Sequence, residues 1–272
     1  MRIIDTLRKA VESARELILD NIERARVKTG KRNPFGDQTL ALDKETEDIV
    51  INVLQESDTT FSIMTEEQGI VEQDSRPDYI AIVDPIDGSA NLERGIPICS
   101  IGISVLPYGE RLTTDDLEVS IIQSYFTNET YVAMKGKGVT LNGKQIRPRE
   151  KSPIAETIIS YDTKKQWDEE FSAASLRVLK NVFDMRRSAS NLLDLCWTAA
   201  GGLDAMLDLR GVLPIVHVSG THMVTEAGGF VVDFQGSRLK LPIDYDERMS
   251  FVAASNEILA RNLLALWQGT KS

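Results

Sequence analysis

The stretch Ile82-Val83-Asp84-Pro85-Ile86-Asp87-Gly88-Ser89-Ala90-Asn91 constrains this chain more than any other. The apolar residues from Tyr79 to Val83 lead into it and predict a short buried strand. Pro85 fixes its own φ and biases Asp84 toward extended geometry, so the chain leaves that strand stiffly. Gly88 to Asn91 predicts a turn that opens a short helix, and free N–H groups at a helix start suit an anion such as phosphate. Two carboxylates beside such a cradle suit hard cations, which in turn hold phosphate oxygens. On these residues alone, a plain turn with an Asp capping a helix competes with metal chemistry.

A chain of 272 residues is long enough for one large domain or two small ones around a substantial core. Its 42% hydrophobic and 26% charged residues are those of an ordinary globular protein. The formal net charge of −10 argues against nucleic-acid binding through the global field, and an anionic substrate needs a cation to bring it in. Cys99 and Cys196 both sit in apolar surroundings, which predicts buried thiols in a reducing compartment rather than a disulfide framework. With no apolar signal core at the N-terminus and no run approaching a membrane span, the expected location is cytoplasmic, without membrane partners.

Ile4, Leu7, Val11, Ala14, Leu17, Ile18 and Ile22 recur at helical spacing and predict an amphipathic first helix. A basic, turn-rich stretch from Val27 to Gly36 follows, read either as an exposed loop or as a lid whose cations face a phosphate. Asp43 opens a second helix with Ile49, Val50, Val53 and Leu54 on its buried face, and an N-cap-like role competes there with a catalytic one. A strand from Phe61 to Met64 delivers Thr65-Glu66-Glu67-Gln68, where one glutamate can point back toward a metal. Strands are expected over Ile101–Leu106, Leu117–Tyr125, Glu129–Ala133 and Val139–Ile146, the last two regions containing a hairpin signal at Asn142-Gly143. Beyond residues 147–152 strands and helices alternate, ending in a helix from Glu257 to Trp267. This predicts an N-terminal α+β half over residues 1–150 and a C-terminal α/β half over 151–272, packed as one unit.

Together with Gly136-Lys137-Gly138, Leu141-Asn142-Gly143-Lys144, Asp194-Leu195-Cys196, Glu226-Ala227-Gly228-Gly229 and Ala254-Ser255-Asn256, these motifs resemble the inositol monophosphatase family, within the Mg²⁺-dependent, lithium-sensitive sugar phosphatases. The resemblance implies a layered αβαβα sandwich with the site between the halves. It implies two or three Mg²⁺ ions, a metal-activated water, a small phosphorylated substrate and a homodimer. Glu66, Asp84 and the Ile86 carbonyl match ligands of the first ion, and Asp84 and Asp87 match ligands of the second. Ser89 and Asp43 match the pair that orients the attacking water. The N–H groups of Gly88 and Ser89, with Ala90 beside them, match the phosphate cradle. Ala189, Ser190 and Asn191 match a loop bordering the sugar, and Asp208 lies near an acidic residue that binds substrate hydroxyls. Arg210 either reaches a second phosphate or forms a surface salt bridge.

One position departs from the family pattern. An Asp that ligates the second ion, just before the helix ending in Glu-Ala-Gly-Gly, is missing. Counting back from Glu226 places Val216 there, and counting forward from Asp208-Leu209-Arg210 places His217, so a one-residue deletion in this helix is expected. His217 is read as a buried imidazole bonded to backbone, as a nitrogen ligand favouring Mn²⁺, Zn²⁺ or Co²⁺, or as a contact to substrate phosphate. His222 is read as ordinary helix packing. The leading function is hydrolysis of inositol 1-phosphate, fructose 1,6-bisphosphate or both. A nucleotide 3′-phosphatase, or a weakened homologue that binds a phosphorylated ligand or a protein partner, is the alternative.

Overall fold

The computed structural model describes residues 3–34, 36, 38–72, 76–150, 153–164 and 168–270. Two helices, α1 (Ile3–Asp20) and α2 (Ala41–Gln55), flank a short hairpin of β1 (Lys28–Arg32) and β2 (Gln38–Leu40). The chain then builds most of a large sheet with β3 (Phe61–Thr65), β4 (Gly69–Val71) and β5 (Tyr79–Asp87), the one-turn α3 (Ser89–Arg94), and β6 (Ser100–Pro107). It continues through β7 (Val119–Ser124), β8 (Thr130–Met134), β9 (Gly138–Leu141) and β10 (Lys144–Ile146). Asn142 and Gly143 both take positive φ between β9 and β10, as a two-residue hairpin turn requires. The order is β10-β9-β8-β7-β6-β5-β3-β4, antiparallel except where β3 runs parallel to β5.

The C-terminal half contains β11 (Ile158–Tyr161), α4 (Glu169–Leu179), β12 (Asp184–Met185), α5 (Asn191–Ala199) and β13 (Ala205–Pro214). It ends with α6 (Val218–Glu226), β14 (Phe230–Val232), β15 (Arg248–Ala254) and α7 (Glu257–Gln268). Its sheet has the order β12-β11-β13-β15-β14, with β11 parallel to both its neighbours and β15 antiparallel to both of its own.

Three apolar clusters stack these elements into five layers. Leu7, Val11, Ile18, Val50 and Leu54 pack α1 and α2 on one face of the large sheet, against Phe61, Val83, Ile103 and Ile121. On its other face Ile82, Leu106 and Ile122 meet Leu192, Leu195, Val218 and Met223 of α5 and α6, which also carry Met206 and Phe251 of the second sheet. Val178, Leu259 and Leu263 of α4 and α7 cover the outer face of that sheet. The result is the αβαβα sandwich. Gly220 allows the middle layer to close, because a Cβ there would lie 2.4 Å from Leu195 Cδ1.

Local boundaries differ from the sequence reading where short elements carry little pattern. The stretch after α1 forms the edge hairpin β1–β2 rather than a bare loop. Ile22 falls past the helix end and is 42% exposed. β13 is the longest strand of the second sheet and runs on through Pro214 to within three residues of His217. Among the described residues no helix is long and apolar enough to cross a membrane.

Candidate active site

Asp84 and Asp87 both lie on β5, three residues apart. In a regular strand an odd separation puts side chains on opposite faces. The pairing with β6 slips between them: Asp84 opposes Gly102 and Asp87 opposes Ser100, so the β5 side carries an extra residue. This bulge, at the Pro85 step, turns both carboxylates toward one place. Tyr125 holds the bend by donating its buried hydroxyl to the Pro85 carbonyl at 2.5 Å. Gly88 follows at φ +96°, and a Cβ on it would come within 3.0 Å of the Ile98 carbonyl, so only glycine makes this turn into α3 without strain.

His217 stands opposite this bend. It closes a single 3₁₀ turn, Ile215–His217, between β13 and α6. Its Nε2 is 3.3 Å from Asp84 Oδ2 and 3.7 Å from Asp87 Oδ1. Its Nδ1 is 3.3 Å from the Pro214 carbonyl, which can only accept, so the N–H is on Nδ1. Of the two counts, the forward one matches the structure. His217 lies beside the aspartates, and Val216 is wholly buried in the apolar core.

Asp87 is fixed by three groups. Ser190 Oγ and the Leu192 N–H donate to its Oδ2 at 2.6 and 2.7 Å. Burial disfavours its charge, but His217 and these donors outweigh burial and hold its pKa below the usual value. Asp84 has no such help. It is fully buried, and among the described residues neither of its oxygens has a hydrogen-bond partner. Burial, then the charges of Glu66 and Asp87, push its pKa well up. Glu66 follows β3, and burial, partly offset by His217, pushes it up to about 7. For His217 burial opposes protonation, yet the hydrogen bond and charge of Asp87 raise its pKa overall.

These groups fit a divalent cation. Ligand atoms of Asp84, Asp87 and His217 all lie within 4.8 Å of one another. An unpaired buried carboxylate costs several kcal/mol, a cost that a cation between these ligands removes.

Two pockets meet at Glu66, Ile86, Ser89, Ala90 and Lys164. The smaller, about 170 Å³, holds Asp43 and Ser89. Asp43 sits in the first turn of α2, where its Oδ2 caps the Leu40 N–H at 2.8 Å and its buried Oδ1 has no partner. One oxygen thus serves the helix and the other is left for chemistry. Burial pushes its pKa well up. The larger pocket, about 390 Å³, runs from Asp87, Gly88, Ser89 and His217 to Asp162, Arg187 and Arg210.

Ser190 and Asp208 fill roles other than those expected of them, and Arg210 takes one of its two expected roles. Ser190 does not border a sugar: it is fully buried and holds Asp87, while its neighbours Ala189 and Asn191 line the larger pocket. Asp208 is fully buried against Arg210 and lines neither pocket. Arg210 lies in the pocket wall, but its guanidinium is committed to Asp208 and to Asp162 at 2.7 Å, so the ion-pair reading describes it. Arg187 similarly bridges Asp162 and Asp194 at 2.6 and 3.3 Å.

Two further residues escaped the sequence reading. Glu47 is fully buried on α2 and accepts from Thr65 Oγ and from the Glu67 and Gln68 N–H groups, tying down the turn that carries Glu66. Its signal was a Glu one turn after Asp43 on the face that buries Val50 and Leu54. Asn33, between β1 and β2, donates to Glu66 at 3.2 Å and Glu67 at 3.3 Å. The hairpin thus presents an amide to the site, while Lys28 pairs with Glu93 at 2.7 Å. His222 packs as expected, bonded to Ser120 Oγ at 2.7 Å.

A five-layer sandwich whose bulged strand gathers buried carboxylates beside a phosphate-sized pocket defines a metal-dependent phosphomonoesterase. The family model of the inositol monophosphatase family matches residues 2–271. The fructose-1,6-bisphosphatase/inositol-1-monophosphatase of Thermococcus kodakarensis is 31% identical over 233 residues, 85% of this chain and 84% of that protein. The Nus factor SuhB of Escherichia coli is 29% identical over 231 residues, 84% of each. The crystal structure of an inositol monophosphatase–fructose 1,6-bisphosphatase matches with a TM-score of 0.84 at 27% identity, covering 98% of this chain and all of that one. The chain belongs to the inositol monophosphatase family. It is a metal-dependent enzyme that hydrolyses phosphomonoesters.

Proposed function

We propose that the substrate is a small sugar or polyol phosphate, inositol 1-phosphate or fructose 1,6-bisphosphate, and that Glu66, Asp84, Ile86, Asp87 and His217 hold the catalytic cations. The observation that carries this reading is the convergence of Asp84, Asp87 and His217, the last two in the wall of the larger pocket, next to the smaller pocket that holds Asp43 and Ser89. When bound, divalent ions polarise the phosphate and lower the pKa of water, and Mg²⁺ is the natural ion for oxygen ligands. Ser89 and the free oxygen of Asp43 orient that water. With its pKa raised by burial, Asp43 is suited to accept a proton from it. The N–H groups of Gly88, Ser89 and Ala90 receive the phosphate.

The wall of the larger pocket supports the bisphosphate, because Lys164 lines it beside Arg187 and Arg210, two guanidinium groups that already pair with buried aspartates. None of its described lining residues is Phe, Tyr or Trp, which favours a sugar over a nucleotide base seeking a stacking partner. The likeness to a protein named Nus factor SuhB favours a second reading, a homologue that binds a protein partner. The family likeness supports a homodimer and the two buried thiols support a cytoplasmic location, while the −10 charge speaks against nucleic acid.

Phosphate release from both substrates, with Asp84→Asn as control, tests the proposal. Release that disappears in the variant is the expected result. No release from either substrate with Mg²⁺, Mn²⁺ or Zn²⁺ overturns it in favour of another phosphomonoester or the partner-binding reading.

A further inference from the structure

The two cation positions proposed above differ in their donors, and that difference has a consequence for which ions they hold. Glu66, Asp84 and the Ile86 carbonyl offer oxygen alone. Asp84, Asp87 and His217 offer two carboxylates and an imidazole nitrogen.

The nitrogen is built to bind. His217 Nδ1–H points to the Pro214 carbonyl, so the nitrogen turned toward Asp84 and Asp87 is Nε2, whose lone pair a cation would take in place of the proton shared with Asp87. A backbone acceptor on the remote ring nitrogen is the usual way a protein fixes the tautomer of a metal-ligating histidine. The ring cannot easily turn away, because Ile215, Val216 and Val218 on either side of it are fully buried. Asp87 is oriented in the same manner. Ser190 and Leu192 occupy its Oδ2, and Oδ1 is the oxygen nearest the imidazole. Asp84 brings two buried oxygens without hydrogen-bond partners. Ligands about 2.0–2.2 Å from a shared ion lie roughly 2.8–3.6 Å apart at tetrahedral to octahedral angles. The spacings of 3.3 and 3.7 Å are within a small inward movement of that range.

The ion follows from the donors. Mg²⁺ prefers oxygen and gains little from imidazole, whereas Mn²⁺, Co²⁺ and Zn²⁺ accept nitrogen readily and bind such sites more tightly along that series. A neutral imidazole in place of a carboxylate also removes one negative charge, which weakens the site for a hard ion held mainly by charge. We infer that this protein assembles an unequal pair, with Mg²⁺ at the oxygen-only position and a transition ion at the Asp84–Asp87–His217 position. This rests on the metal-dependent reading of the site but not on the identity of the substrate.

The test is a metal count with a spectroscopic signature. Protein stripped by chelator is dialysed against Mg²⁺ in large excess over Mn²⁺, and bound metal is measured by mass spectrometry. One Mn²⁺ and one Mg²⁺ per chain are expected, with nitrogen coupling from an imidazole in the pulsed EPR spectrum of the bound Mn²⁺. In His217→Asp that coupling should vanish and the preference for Mn²⁺ over Mg²⁺ should fall by roughly tenfold or more. Two Mg²⁺ per chain in the wild type, a single ion in total, or Mn²⁺ without nitrogen coupling would each overturn the inference. The wild-type signal decides the question even where the variant folds poorly. Turnover is read separately: a correctly loaded protein that releases no phosphate refutes the phosphatase reading and leaves the unequal pair standing.

Discussion

Glu47→Ala should weaken both the fold and the metal site, although Glu47 touches neither pocket. All three of its hydrogen bonds end on Oε1, from Thr65 Oγ and from the N–H groups of Glu67 and Gln68, the last two at 2.9 and 3.3 Å. A hydrogen bond to a charged acceptor contributes about 1.5–3 kcal/mol. Thr65 is fully buried and loses the whole of its bond, while water can reach the two amides of the more exposed turn. Against these losses, burial raises the pKa of Glu47, so removing the carboxylate recovers part of its desolvation. The net loss comes to about 2–4 kcal/mol. For a chain of this size that lowers Tm by roughly 4–8 °C. Glu47→Gln keeps an acceptor oxygen and should lose less than half as much. Because the turn carries Glu66, Mg²⁺ affinity should drop by roughly 10–100-fold, the usual effect of removing a group that orients a ligand. Urea unfolding of the stripped protein and calorimetric Mg²⁺ titration measure the two effects. Unfolding within 1 kcal/mol of wild type, with unchanged Mg²⁺ affinity, would show that Asn33 and Thr39, whose hydroxyl donates to Glu67 at 2.5 Å, hold the turn and would refute the argument.

Chelator should lower the Tm of the wild type, since saturation at about 100 times Kd stabilises by about 2.7 kcal/mol per site, and thermal melts of Asp84→Asn should show almost no such shift. Asp194 offers a pH prediction. Burial pushes its pKa up to about 6 in the fold, against about 3.9 in the unfolded chain, so its contribution to stability is present at low pH and is lost as pH rises through about 6. Denaturant midpoints measured from pH 4 to pH 7 should therefore fall less steeply in Asp194→Asn than in the wild type.

Much of the architecture was legible because the long elements carry strong periodicity. α1, β5, β6 and α7 lie close to where alternation and helical spacing place them. Most of the residues proposed to hold metal were legible because they sit in one local motif, Asp84 to Ser89. Long-range relations were not. The slip of β5 against β6 depends on a partner strand, so the sequence shows two aspartates at an odd separation without showing that they converge. Ser190 reads as a loop residue near substrate, and only the fold reveals the carboxylate behind it. Asp208 and Arg210 share an ion pair across two positions of β13, which sequence spacing alone cannot tell from a substrate contact. The forward count crosses the single 3₁₀ turn between β13 and α6 and reaches His217, so the one-residue difference between the two counts falls within α6, where a local pattern does not show how many residues the helix holds.

The position of His217 also bears on the order in which the site comes into being during synthesis. Glu66, Asp84 and Asp87 belong to the large sheet, which can be made and paired early. His217 arrives after β13 and close to the end of the chain. At roughly 5–20 residues per second, the acidic cluster waits on the order of ten seconds for the imidazole proposed as its last ligand. Through that interval the growing chain offers a half-built, oxygen-only centre to whatever cation is most abundant around the ribosome. The imidazole then closes over a position already filled, so the ion found in the finished protein depends on exchange after release as well as on intrinsic preference.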